Sequence, residues 1–376
     1  MKTFDVAIVG GGLIGVSAAL ELRRRSLRVV LFDRQQPGRE ASWAAAGMLA
    51  PGDDPQSAAL APLAKKSLGL YPEFVRAIEE ASGQSVGFAQ QGTFQLFFED
   101  GEPARDAFVE RHRQLGLSAE AVSTSVARER EPQLGSKAVA AAWLSSEASV
   151  DPRSLVDAAL SAAEIAGVDV RSGCEVTGVL REGRYCRGVV TREGGTPARH
   201  VVVAAGCFSS LVPGEIGRYA PVRPVRGQML SLRRQGVTIG HVLRSEGGYL
   251  VPRADGRIVA GSTLEDAGFE KAVTPEGVRK IVGAALELVP ALSDAEIVET
   301  WAGLRPGSPD ALPILGPTDV EGLIVATGHY RDGILLAPVT AKLVAGWVCG
   351  DADDLDVQKF SPLRFEHRAI STGGTA

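Results

Sequence analysis

The sequence predicts an α/β protein in two parts: a Rossmann-like dinucleotide-binding domain on a parallel sheet, and an α+β domain with a mainly antiparallel sheet. Three observations predict it. Residues 4–15 read as strand, glycine turn and helix, and an acidic residue follows the next apolar strand. Residues 200–206, HVVVAAG, are a continuous apolar run of the kind buried on both faces of a parallel sheet. Residues 221–300 change grammar to short strands and tight turns, which implies antiparallel pairing.

The first strand, FDVAIV, exits through Gly10, Gly11 and Gly12 into a helix that begins Leu13, Ile14, Gly15. Gly10 permits the tight turn, Gly12 lets a pyrophosphate approach the backbone, and Gly15 lets helix and strand pack closely. The phosphates then sit at a positive helix N-terminus. Asp33 lies 18 residues beyond Gly15, after VVLF, where a carboxylate accepts hydrogen bonds from a ribose and repels a 2′-phosphate. Residues 37–51 are small and include Ala41, Ser42, Ala46, Gly47 and Met48. Alone they read as an alanine-rich helix start; beside a dinucleotide they bring bare backbone against a flat aromatic ring.

A helical pattern follows over 58–82, then a strand at 94–98 and a charged helical stretch over 105–132 on the outside of the second domain. Asp151 and Pro152 form an N-cap and first helical position, and Gly167 ends that helix. Short strands are expected at 168–170, 175–180 and 200–206. The second domain supplies strands at 228–232, 249–252 and 257–261, the last two joined at Asp255-Gly256, and a helix over 275–288. The chain then turns through WAGLRPG at 301–307, forms a strand at 323–326, a loop at 327–334, and a helix from about Pro338.

A length of 376 residues exceeds one ordinary domain, and 45% hydrophobic residues suffice for two cores. A net charge of −5 with dispersed Lys and Arg excludes a nucleic-acid groove. Four cysteines, Cys174, Cys186, Cys207 and Cys349, match neither a CxxC pair nor a metal-ligand set, so reduced, mostly buried thiols and no metal are expected. Neither a signal peptide nor a membrane span is legible, which together with the cysteines implies a cytoplasmic protein. A homo-oligomer stays open.

Five segments, GGGLIG with Asp33, SWAAAGML, VVVAAG, WAGLRPGSPDALPILG and GHYRDGILLAP, resemble in order those of the flavin-dependent D-amino-acid oxidase family. Together with GSTLEDAGF at 261–269 they are most similar to the bacterial glycine oxidase branch of thiamine biosynthesis, over nearly the whole chain. The resemblance implies an FAD-binding domain of the D-amino-acid oxidase/glutathione reductase type and FAD, not NAD, in an extended pose. By it, Leu13 and Ile14 approach the diphosphate, Asp33 and Arg34 the adenosine end, and Ala41 and Ser42 the ribityl chain. Ala46, Gly47 and Met48 lie against the isoalloxazine, Val176 clasps adenine through its backbone, and Gly206 joins the cofactor set. The loop Gly328, His329, Tyr330, Arg331, Asp332, Gly333 and Ile334 lines the pyrimidine edge. Arg305 matches the arginine that holds the substrate carboxylate and Tyr249 the tyrosine that assists, while Arg331 adds to either site.

Read without the family, Arg305 is either a carboxylate fork in a glycine-flanked turn or a surface loop arginine, and Tyr249 is core packing. His329 reads as structural rather than as a base. The implied reaction removes a hydride from the substrate Cα to flavin N5, and water hydrolyses the imine to a 2-oxo acid and ammonia. Oxygen then takes the electrons, and the helix near Pro338 aims its N-terminus at the flavin. The competing readings are a D-amino-acid dehydrogenase that reduces a quinone, a broad secondary-amine oxidase, and a flavin-holding subunit without turnover. The similar sarcosine oxidases that attach flavin covalently use a cysteine near the active arginine; here Cys349 is the nearest in sequence to Arg305, so non-covalent FAD is expected. One methylene in a pocket is worth only about 1–3 kcal/mol, so the order among glycine, sarcosine and small D-amino acids is not legible. The expected partition is 1–85, 141–218 and 298–364 for FAD, 86–140 and 219–297 for substrate, and a mobile tail at 365–376.

Overall fold

The computed structural model describes residues 3–52, 57–99, 101–351 and 355–368. The strand Phe4–Val9 lies mid-sheet, pairing in parallel with Val29–Phe32 and Gly194–Val203. Leu323–Thr327 and Asp169–Arg171 extend the sheet in parallel, and Ile314–Pro317 adds an antiparallel edge. The period of two explains why these strands look uniformly apolar. Val6, Ile8, Leu31 and Val202 enter one core with the helices, while Ala7, Val9, Val30 and Val203 enter another on the opposite face.

Helix Leu13–Arg24 begins directly after the glycine turn, and a Cβ on Gly15 would fall 2.0 Å from the Gly10 carbonyl oxygen. Only glycine permits that helix-to-strand approach. Helix Pro152–Ile165 starts as its sequence requires: the Asp151 carboxylate accepts from the amides of Arg153 and Ser154 at 3.0 and 3.4 Å. Among the described residues no helix is long and apolar enough to cross a membrane.

The second sheet has the strand order Glu296–Gly307, Arg223–Arg233, Ile258–Gly261, Gly248–Pro252, Val242–Ser245, Thr93–Phe97, Ala140–Leu144, Glu120–Val122. Its pairs are antiparallel except Val242–Ser245 with Thr93–Phe97. Helix Pro275–Leu288 covers one face through Ile281, Ala285 and Leu288.

Several expectations change. Residues 301–307 are not a turn but the end of the strand Glu296–Gly307, held by continuous pairing with Arg223–Arg233. The stretch 105–132 divides into the helix Gly101–Gln114, the strand Glu120–Val122 and the helix Thr124–Arg130, because Ser123 caps a new helix at the Val126 amide. The boundaries expected at 141 and 298 fall inside strands of the second sheet. The tail expected from 365 starts too early: Phe365 is buried in the core on one face of the first sheet, and residues 369–376 lie outside the described residues.

Candidate active site

A cleft of about 500 Å³ runs between the two sheets. At one end is the glycine turn, where Gly10 has φ +110° and a Cβ would fall 2.4 Å from the Ala204 carbonyl oxygen. Gly12, Leu13 and Ile14 line the cleft, whereas Gly15 lies behind it in the helix-strand contact. Asp33 also lines it, with one carboxylate oxygen accepting from the Gly11 amide at 2.8 Å and the other from the Gln35 amide at 2.9 Å. Arg34 lies beside Asp33 with its guanidinium 3.6 Å from the Phe208 ring centre. Val176 and Gly206 line the same end.

The small-residue segment supports both of its readings. Ala41 and Ser42 begin the four-residue helix Ala41–Ala44, after which the backbone extends through Ala45 to the left-handed Gly47. Ser42 accepts the Leu13 amide at 2.9 Å, which ties this segment to the helix behind the glycine turn. Ala46, Gly47 and Met48 line the cleft. The carbonyls of Ala44, Ala46 and Gly47 are taken by Trp301, Arg253 and the Val150 amide. A ring-shaped ligand therefore meets a wall built largely of backbone and small side chains, and the glycine cradle and Asp33 fit the nucleotide end. These features suit FAD.

Arg305 stands at the opposite end, half-buried on the strand Glu296–Gly307. Its guanidinium donates to the Ser262 hydroxyl at 2.8 Å and to the Thr263 carbonyl at 3.2 Å. Gly227, on the neighbouring strand, lies beneath it, where a Cβ would fall 2.0 Å from Nη1. Among the described residues no carboxylate pairs with Arg305. Burial lowers its pKa from the usual value and the charge of Arg331 adds to that, while Tyr249 and Tyr330 oppose them. A charge disfavoured by both desolvation and a second cation attracts an anionic ligand. The Tyr249 hydroxyl donates to Met229 Sδ at 3.4 Å, beside Arg305. Arg331 is exposed at the cleft wall.

The loop expected to carry the cofactor edge behaves unevenly. His329, Tyr330, Arg331, Asp332, Gly333 and Ile334 line the cleft, whereas Gly328 packs against Ile314 behind it. Burial pushes the His329 pKa down to about 3, and its Nε2 lies 3.1 Å from the Thr340 hydroxyl, so the ring is neutral and structural. The helix expected near Pro338 spans Ala337–Cys349; the Ser67 hydroxyl takes the Val339 amide at 3.3 Å, and Gly333 and Ile334, just ahead of it, face the cleft.

Two cysteines, Cys174 and Cys207, line the cleft, close in sequence to Val176 and Gly206 rather than to Arg305. Burial pushes the Cys207 thiol up to about 12, which makes it a poor nucleophile. Of the four thiols only Cys186 and Cys207 are buried, and Cys349 is exposed. Among the described residues no group of three or more His, Cys, Asp or Glu is arranged to hold a metal. The residues around Arg305 that local sequence did not reveal are Gly227, Ser262, Thr263 and Met229.

The profile of the DAO family, FAD dependent oxidoreductases, matches residues 5–347. The glycine oxidase of Pseudomonas aeruginosa is 35% identical over 95% of this chain and 98% of its own length. The bifunctional protein ThiO/ThiG of Trichormus variabilis is 36% identical over 98% of this chain, which spans only 56% of that relative. The crystal structure of glycine oxidase from Geobacillus kaustophilus superposes with a TM-score of 0.92 at 32% identity, covering 97% of this chain and 99% of that one. With the glycine cradle, the small-residue wall and the family match in agreement, the chain belongs to the DAO family of FAD-dependent oxidoreductases.

Proposed function

We propose that the chain oxidises glycine and other small amino acids, such as sarcosine and small D-amino acids, using non-covalent FAD and oxygen. For glycine the balance is glycine, oxygen and water going to glyoxylate, ammonia and hydrogen peroxide. The observation that carries this reading is the half-buried Arg305 guanidinium, which faces the cleft and pairs with no carboxylate among the described residues. A substrate carboxylate completes it through two charge-assisted bonds. Bound FAD supplies the two-electron acceptor for the Cα–H bond.

Each protein group then has a defined task. Ser262 and Thr263 fix the plane of the Arg305 fork, and Gly227 leaves it room. Tyr249 and Met229 fill the space beside the fork and exclude water. No side chain is needed as a base if the amine arrives neutral, and neutral His329 is engaged with Thr340 instead. The two-sheet arrangement supports the proposed division into an FAD part and a substrate part, although the strands containing 141 and 298 belong to the substrate sheet. We place the enzyme in the cytoplasm, supplying the imine-derived product for thiamine thiazole formation. The likeness to ThiO/ThiG and glycine oxidase supports that placement.

The test is Arg305→Ala. It should raise the apparent KM for every amino-acid substrate about 10- to 150-fold, the equivalent of ~1.5–3 kcal/mol for a charge-assisted contact, with FAD affinity unchanged. Arg305→Lys should recover only part, because a point charge lacks the planar fork. Wild-type protein should yield peroxide and glyoxylate in equal amounts without added dye. Equal loss with carboxylate-free amines would overturn the assignment of Arg305, and turnover only with a quinone would overturn oxygen as acceptor.

A further inference from the structure

Alternate residues of the strand Glu296–Gly307 share one face, and Glu299, Trp301, Gly303 and Arg305 form such a series. The first three hold the small-residue segment that lines the cleft, Trp301 and Gly303 by direct contact with Ala44 and Glu299 through Arg153, which lies over Trp43. Glu299 accepts both guanidinium arms of Arg153 at 2.8 and 3.1 Å. Arg153 also lies 3.5 Å from the Trp43 ring centre and 4.6 Å from that of Trp301. Trp301 donates its Nε1–H to the Ala44 carbonyl at 3.0 Å. A Cβ on Gly303 would fall 2.4 Å from that of Ala44, so the strand and the small-residue segment touch directly. The next residue in the series is Arg305.

Arg153 belongs to the first turn of the helix Pro152–Ile165, whose apolar face is packed in the core of the first sheet. Its partner Glu299 belongs to the second sheet. One planar guanidinium thus joins the helix of the first part to the second sheet by a bidentate pair and lies over the Trp43 and Trp301 rings, whose planes are inclined at 70°, and a two-bond fork of this kind needs arginine rather than lysine.

We propose that Arg153 and Glu299, with Trp43 and Trp301, form a latch that sets the distance between the flavin-facing segment 44–47 and Arg305. Arg153 is thereby a positioning residue for the reaction. This rests on the function proposed above: the latch holds the carboxylate site and the flavin wall in one register, so the substrate Cα meets the ring at a fixed place. It acts on orientation rather than on binding, because the Arg305 contacts and the nucleotide cradle lie outside it.

The experiment compares the purified holoenzyme with Arg153→Gln, Arg153→Lys and Glu299→Gln by three measurements. These are the visible circular dichroism of the bound flavin, the FAD dissociation constant, and kcat and KM for glycine. Arg153→Gln should change the visible flavin band clearly and lower kcat about 10- to 100-fold, the loss expected for a misplacement near 1 Å. KM and FAD affinity should stay within about three-fold, since the carboxylate and phosphates are held elsewhere. Arg153→Lys should rescue little, and Glu299→Gln should shift both readouts in the same direction by less. If Arg153→Gln does not fold, Glu299→Gln decides alone, being a partly exposed isosteric change. An unchanged flavin band overturns the latch, whatever happens to thermal stability. A changed band in a protein that oxidises no amino acid upholds the latch as a determinant of flavin position and overturns the proposed substrate class instead.

Discussion

Replacing Gly227 with alanine tests the proposed carboxylate site without touching a charged group. The added methyl would stand 2.0 Å from Arg305 Nη1 and 2.5 Å from both Cζ and Nη2. Ordinary contact needs about 3.5 Å, so the guanidinium must move by about 1.5 Å. Gly227 lies in the strand Arg223–Arg233 and is not among the residues with left-handed torsions, so the backbone itself accepts alanine. What is displaced is the far end of a flexible side chain bordering a cleft. The folding cost should therefore fall at the low end of overpacking penalties, about 1 kcal/mol. The functional cost is larger. The fork leaves Ser262 and Thr263, and the substrate carboxylate loses part of a charge-assisted pair worth ~1.5–3 kcal/mol, a factor of about 10–150. Steady-state kinetics by peroxide release should show this rise in KM for glycine, with normal FAD content and a thermal midpoint within a few degrees of wild type. A KM within about two-fold of wild type, in folded and flavin-loaded protein, would refute the placement of the carboxylate on this fork.

Three further outcomes follow from the opposite end of the cleft and from buried His329. Acid precipitation should release intact FAD into the supernatant, and Asp33→Ala should weaken FAD retention by about 1.5–3 kcal/mol. Because Asp33 also accepts the Gly11 amide, that variant should in addition loosen the glycine turn; full FAD occupancy after dialysis would count against Asp33 as a cofactor contact. For His329, the folded pKa of about 3 lies below its unfolded value of about 6.5, so the unfolded chain takes up the proton first as pH falls. Its contribution to stability is complete above pH 6.5 and is lost toward pH 3, the loss amounting to about 2 kcal/mol by pH 5. His329→Gln should lose correspondingly less stability than wild type between pH 7 and 5 in urea unfolding, and equal losses would assign the pH dependence to other groups.

The nucleotide end was legible in the sequence because its chemistry is local. Gly10, Gly12 and Gly15 encode a turn within a dozen residues, and the alternating cores explain why FDVAIV, VVLF and HVVV look the same from either face. The Asp151-Pro152 start and the strand at 249–252 were legible for the same reason: caps and short turns are decided by neighbours in the chain. WAGLRPG was not legible as a strand. Glycine and proline weaken a strand locally, and only its long register with Arg223–Arg233 keeps it extended. The alanines of Ala140–Leu144 are likewise poor strand formers that tertiary pairing overrides.

The sequence by itself determined the parallel nucleotide sheet, the small-residue segment and Arg305 as a candidate carboxylate fork. Tertiary structure alone decided what surrounds that arginine. Gly227, Ser262 and Thr263 reach it from a neighbouring strand and the loop after another, and the Arg153–Glu299 pair closes across 146 positions of chain. Backbone turns are chosen by a few adjacent residues, whereas a buried charge takes its partners from whichever segments the packing of two sheets brings together. For that reason the glycine-turn end was legible in local pattern and the surroundings of Arg305 became legible only in the folded chain.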